Sequence, residues 1–250
     1  MKLRQLFLSS VLAGALLTLS THIALAYDGE NPLGAEFSFH LGVFEPRGES
    51  DLWHENQRLF TQDRTDYDNA IGGMAFSSRL NQFVDFMVGG EFFDSGNVDS
   101  EYRDFFFSNG DLIRHHSRLE IAPLDLSLKI LPFGRSLARG RHGREVFRPV
   151  TPYFGFGGGV LLWDYRERGF FVDVTDPANP VVFRGDFHAR GLTGSVHVLA
   201  GVEVQINPEV ALQFEGKYRW AKDSLGSDFS GFDRFDLSGG SINAGMSFRF

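Results

Sequence analysis

The residues whose types and spacing carry most chemistry are His115-His116-Ser117. Residues two apart share one face of a strand, so His115 and Ser117 would stand side by side. An imidazole so placed accepts the proton of a serine hydroxyl, provided an acid orients it. Glu120 is the nearest acid along the same strand, too close to be a ready orienting group. The plainer reading is the polar start of a strand. Two acidic groups, Asp94, Asp99 and Glu101 and then Asp223, Asp228, Asp233 and Asp236, offer the hard oxygens that hold calcium, although their spacing is not that of an EF-hand. Solvated loops explain them more simply. Gly155, Gly157, Gly158 and Gly159 are not followed by the Gly-Lys-Ser/Thr of a phosphate loop, and glycines in a strand mark bending or room for a neighbour. No cofactor is expected.

The composition narrows the field further. With 24 Lys and Arg against 32 Asp and Glu the chain is acidic, a poor nucleic-acid binder. It has no cysteine, which excludes a disulfide frame and a thiolate metal site. Met1 to Ala26 reads as a secretory signal: Lys2 and Arg4 lead, Leu6 to Leu19 is mostly apolar, and Ala24-Leu25-Ala26 is a cleavage site. Residues 27–250 then form a single domain. After Ala26 no apolar run is long enough for a spanning helix, so a membrane would be crossed by strands.

Period-two alternation recurs eight times. Phe37, Phe39, Leu41 and Val43 make the first strand; residues 69–79 make a second whose facing its glycines leave open; Val84 to Phe92 makes the third, after a tight turn at 80–82. In the fourth, Leu119 and Ile121 share one parity and Leu124, Leu126, Leu128 and Ile130 the other, which predicts a bulge at Pro123. The fifth runs from Thr151 to Tyr165, the sixth over 195–205, and the seventh over 210–220 after the Asn207-Pro208 turn. In the last strand Ile242, Ala244, Met246, Phe248 and Phe250 alternate with polar residues and glycine. The connections run long, short, long, medium, long, short, long. Residues 47–68, 94–115, 166–190 and 221–234 are read as exposed loops. The 131–150 connection carries Arg135, Arg139, Arg141, Arg144 and Arg148, a cluster of cations that would meet anionic headgroups or cell-wall material, or simply water.

This pattern predicts an all-β, eight-stranded antiparallel up-and-down transmembrane β-barrel with long extracellular loops and short periplasmic turns. The residues opposite the apolar parity include Asp85, Glu91, Asp125, Lys129, Glu203, Glu215, Lys217, Arg219 and Arg249. An eight-stranded interior is filled by side chains, so these are expected to pair as an internal charge network. Phe37, Tyr153, Phe154, Trp163, Tyr165, Tyr218 and Trp220 are expected in two aromatic belts at the headgroup levels.

The Pro-Tyr-x-Gly-x-Gly-Gly-Gly run at Pro152 to Gly159, the short turns and the closing strand ending in Phe250 resemble the OmpA/OmpW-like outer membrane β-barrels, over about Phe37 to Phe250. The resemblance implies the outer membrane of a Gram-negative-type bacterium, both termini periplasmic, contact with lipid and lipopolysaccharide, and insertion by the barrel-assembly machinery through the C-terminal strand. No cell-wall-binding domain is expected after the barrel. His115 and Ser117 also resemble the His-x-Ser pair of an outer-membrane lipid A deacylase family, but that family's acid would fall at Lys129. The first expectation is therefore a non-enzymatic structural or surface-interaction protein. The alternatives are a narrow OmpW-like conduit for small molecules, hydrophobic ones included, and, third, a lipid A-modifying hydrolase.

Overall fold

In a computed structural model of the chain, residues 34–139, 145–176 and 178–250 are described. The expected signal segment, together with Arg141, Arg144 and Pro177, lies outside them. Eight strands form a closed ring: β1 (Ala35–Pro46), β2 (Asn69–Arg79), β3 (Val84–Asp94), β4 (Leu112–Ile130), β5 (Val150–Asp173), β6 (Val181–Gln205), β7 (Val210–Ser224) and β8 (Gly239–Arg249). Each pairs antiparallel with the next, and β8 returns to β1 with Phe37 opposite Phe248. Closure leaves no free edge along the ring itself.

The connections at the terminal end are short at 80–83 and 206–209. The longer segment 131–149 there folds back as a small hairpin, Ser136–Arg139 with Glu145–Phe147. At the other end, the loop end, the chain departs from its expected reading. Residues 47–68 are not an exposed loop. They hold a helix, α1 (Asp51–Leu59), and a 3-10 turn (Arg64–Tyr67) that enter the mouth of the barrel. Leu52, Trp53 and Asn56 fall on one side of α1 and are buried, and Phe60 and Tyr67 follow them inward. Asp51 in the first turn and Arg58 in the last suit the helix dipole. Charge on the outward side of this segment hid its apolar side from a strand-period reading.

The other long connections shrink because the strands extend. A strand over Val98–Phe106 pairs with the start of β4, and β5 and β6 continue as one ribbon to Asp173 opposite Val181. Residues 225–238 carry a 3-10 turn (Ser227–Phe229) and a short strand (Arg234–Asp236) that pairs with the end of β7.

The expected bulge at Pro123 is absent. β4 keeps one register against β5 from His115 opposite Gly169 to Ile130 opposite Phe154. Odd residues therefore face inward along all of β4, and even residues outward. Leu119 and Ile121 do not return to the outer face; they are fully or almost fully buried inside the loop end of the barrel. There they join Phe44, Trp53, Tyr67, Ile71, Phe93, Leu161, Phe235 and Leu237 in one apolar core. What changes at Pro123 is the surroundings of each face, not the parity. On β2 the even residues Gly72, Met74 and Phe76 face outward, and Ile71, Ala75 and Ser77 inward.

Candidate functional site

Below the apolar core the barrel interior is ionic, and it divides into two clusters. In the one nearer the loop end, Arg219 on β7 reaches Asp125 on β4 through both terminal nitrogens, at 2.7 and 2.6 Å, and Glu91 on β3 at 2.9 Å. Lys217 donates to the other Glu91 oxygen at 2.6 Å, with His40 Nε2 at 3.2 Å from the same atom. Glu215 lies 3.9 Å from Lys217 and accepts from Tyr153 at 3.1 Å.

The second cluster lies toward the terminal end. Arg249 donates to Glu36 at 2.9 Å and to Glu203 at 2.6 Å. Lys129 pairs with Glu203 and lies over the Tyr153 ring at 4.2 Å. Arg135 enters from the 131–149 segment and meets Asp85 at 2.7 Å and Glu203 at 3.3 Å. Three carboxylates, Glu36, Asp85 and Glu203, thus face three cations, Lys129, Arg135 and Arg249. Such balance is what burial demands, because an unpaired ion inside a barrel keeps its full desolvation cost.

The structure therefore brings together all nine of the charged residues read from the sequence. It adds Glu36 and Arg135, while His40 stands beside Glu91 as its place on the polar parity of β1 implies. Glu36 precedes the first clear alternation. Arg135 belongs to a connection, where a strand-parity count does not reach, and it closes the terminal end instead of lying in a solvated turn.

Little space is left between these groups. A cavity of about 30 Å³, lined by residues including Ser38, His40, Met87, Glu91 and Lys217, has room for about one or two waters. Gly155 and Gly157 do not leave a roomier wall: a Cβ at either would come within 2.9 Å of Leu199 or His197 across the strand pair, which already fill that space.

Ser127, His197 and Asp125 look like a hydrolase triad, and sequence spacing gives no hint of it. Ser127 Oγ is 2.8 Å from His197 Nε2. However, His197 Nδ1 is 3.7 Å from Asp125, whose two oxygens are taken by Arg219, and Ser127 is buried. The orienting bond of such a triad is missing. His115 and Ser117 fare no better. Both face inward under α1, where His115 Nδ1 is 2.6 Å from Ser100 Oγ and its ring lies 3.8 Å from that of Phe60. Ser117 meets Tyr67 Oη at 2.5 Å and donates to Gln62 at 3.0 Å. Burial lowers the His115 pKa to about 4, which keeps the ring neutral. The pair secures the 47–68 segment, the plug of the barrel mouth, and forms no dyad.

The outer surface completes the geometry. Around the ionic lumen the outward positions are apolar and bare: Leu41 is 70 % exposed, Leu126 50 %, Phe214 49 % and Ile242 79 %. Buried charge within and uncovered hydrocarbon without is stable only if the outer solvent is lipid. The chain has the fold of the eight-stranded outer-membrane β-barrels.

The barrel's closing strand shows Ile242, Ala244, Phe248 and Phe250 to the outside, with Met246 half-buried. Phe37, Phe154 and Trp220 are exposed on the outer face and Tyr218 partly so, its ring 4.7 Å from that of Trp220. Tyr153, Trp163 and Tyr165 correct the expected belts. They lie on the inward parity of β5 and are buried, donating to Glu215, Asp223 and Glu167 respectively. Odd parity points inward along the whole of β5, so they cannot share a belt with Phe154.

The acidic residues of the loop end are dispersed. Asp94 pairs with Arg118, Glu101 with Arg114 and Asp99 with His116, while Asp223 accepts from Trp163 and Asp228 from the His188 backbone. No group of three potential metal ligands occurs among the described residues.

No known protein family and no curated protein matches the sequence. Solved structures similar to the barrel include Neisserial surface protein A (13 % identity, 86 % of this chain and 96 % of that one, TM-score 0.43). Others are the outer membrane protein OprG of Pseudomonas aeruginosa (10 %, 89 % and 99 %, 0.43) and the outer membrane protease OmpT of Escherichia coli (11 %, 87 % and 94 %, 0.37). At these values no residue's role is carried from them to this chain.

Proposed function

We propose that the protein is a closed, non-enzymatic barrel of the outer membrane, with a structural and surface-interaction role exercised by its loop end. In this reading the loop end faces outside and both termini are periplasmic. The apolar belt contacts outer-membrane lipid and lipopolysaccharide, and the closing strand, Ile242 to Phe250, is what the barrel-assembly machinery engages. The observation that carries it is the filled interior: Arg219 spans from β7 to Glu91 and Asp125, Arg135 closes the terminal end, and α1 occupies the mouth. An ion or small solute would have to separate buried ion pairs to pass, and removing one partner of such a pair costs several kcal/mol.

Reconstitution into planar lipid bilayers tests this directly. The expected result is a silent membrane, with currents emerging only when Arg219 or Arg135 is replaced by alanine. Reproducible unitary currents from the unaltered protein would establish the narrow conduit instead.

A further inference from the structure

The ribbon of β5 and β6 carries an unprotected edge. The two strands pair up to Asp173 opposite Val181, but β7 joins β6 only from Gln205 to Ser195. Beyond Ser195, β6 has a strand neighbour on its β5 side alone. The turn at Ser227–Phe229 covers part of the remainder: the His188 N–H donates to Asp228 at 3.1 Å and Phe229 meets Phe187. From Val181 to Phe187 no strand among the described residues pairs with this edge. The opposite edge of the same sheet is guarded. There Phe60 bridges to Tyr102, Thr61 N–H donates to the Glu101 carbonyl at 2.8 Å and Arg103 reaches the Gln57 carbonyl. An open edge bearing exposed Val181 and Phe183, 59 % and 40 % accessible, is a template for another strand.

We infer that this edge pairs antiparallel with the same edge of a second copy, in a register centred on Gly185. His188 N–H points away from β5, so by the alternation of an antiparallel ladder the backbone groups of Val182, Arg184 and Asp186 point to the open side as well. Even residues must therefore oppose even residues. Centring on Arg184 sets arginine against arginine, and centring on Asp186 sets aspartate against aspartate. Centring on Gly185 sets each Arg184 against Asp186 of the second copy, and Phe183 against Phe187. Opposite charges and aromatic pairs at facing positions favour that register, and like charges disfavour the others. Arg184 makes no ion pair within its own chain among the described residues, whereas Asp186 is held on the same outward face by Arg166 at 2.8 and 2.9 Å and by Arg168 at 3.2 Å. Antiparallel ribbons standing out of two bilayers meet loop end to loop end, so the pair bridges facing membranes. The inference rests on the loop end being the interacting surface of the barrel.

The test is sedimentation of the full protein in detergent, with clustering of proteoliposomes as a second readout. The unaltered protein dimerises. Arg184→Asp and Asp186→Arg each set like charges opposite one another and weaken the dimer about tenfold or more. An equimolar mixture of the two variants, in which every facing pair is again opposite in sign, regains it. Arg184→Pro, which removes an N–H on the open side and leaves the ladder with β5 intact, stays monomeric with an unchanged circular dichroism spectrum. A monomeric wild type at about 0.1 mM, where even a Kd of that order half-fills a dimer, overturns the proposal. So does a mixture no tighter than either variant alone. Conductance of the same preparations separates the two readings: silent monomers refute only the pairing, and conducting dimers refute only the closed barrel.

Discussion

The two halves of β4 have the same parity and opposite surroundings. From Leu124 to Ile130 the even residues are apolar and face outward, while Asp125, Ser127 and Lys129 face an ionic interior. From Leu112 to Arg118 the outward residues include Arg114, His116 and Arg118, paired with Glu101, Asp99 and Asp94, and the inward ones include Ile113. β5 repeats the change. Val160 and Leu162 lie outward below Arg166 and Arg168, and Gly155 and Gly157 lie inward below Tyr165 and Phe171. The lower half is a membrane barrel and the upper half follows the rule of a soluble protein. A strand crosses from one solvent to the other simply by exchanging the chemistry of its two faces.

The two interiors should consequently fail in different ways. Arg219→Ala leaves Glu91 and Asp125 buried with a partner lost, at a cost of about 3–5 kcal/mol. Denaturant unfolding in detergent should show that loss as a change of the whole barrel, since Arg219 ties β7 to β3 and β4. Trp53→Ala removes a ring stacked on Phe235 and an N–H donated to the Asp236 carbonyl. A large buried side chain truncated to alanine costs about 3–5 kcal/mol, but here hydrogen exchange should rise in α1 and around Phe235 and stay unchanged at Lys129 and Glu203. Equal loosening at both ends would mean that the halves are one cooperative unit.

A smaller effect separates them by pH. Glu167 touches the plug, accepting from Asn56 at 2.5 Å and from Tyr165 at 2.6 Å, with no cation paired to it among the described residues. Burial raises its pKa, outweighing the two hydrogen bonds that pull the other way. The folded chain thus keeps a proton that the unfolded chain has released. Stability from this group is present below the ordinary carboxyl range and is lost as pH rises from about 4.5 toward the raised value. Relative to wild type, Glu167→Gln should gain loop-end stability as pH rises, read from Trp53 fluorescence on heating. A difference independent of pH would show that Glu167 is ionised in the fold.

Where one face of a strand stayed in one solvent, the sequence was legible. β1, the lower part of β6, β7 and β8 alternate cleanly, and their inward charges meet as the parity implies. Leu119 and Ile121 depart from the expectation because an apolar residue faces outward only at the level of the lipid, and above it the same residue type fills the core. Tyr153, Trp163 and Tyr165 depart from it because an aromatic near a strand end fits either a belt or a core. The helix carrying Trp53 and Asn56 was hidden by its own charged side, and Arg135 by lying outside any strand of the ring. Each missed feature depends on a long-range partner, such as Asp236 for Trp53 or Glu203 for Arg135, that local spacing does not encode.

The chain has no cysteine, so single cysteines along β4 can report their surroundings one position at a time. A spin label at 114, 116 and 118 should be quenched by a water-soluble relaxant, and at 124, 126 and 128 by a lipid-soluble one. Positions 119, 121, 125 and 127 should be shielded from both. Lipid exposure at 119 and 121 would mean that the faces swap at Pro123 after all, and would contradict the unbroken parity on which this barrel's two interiors depend.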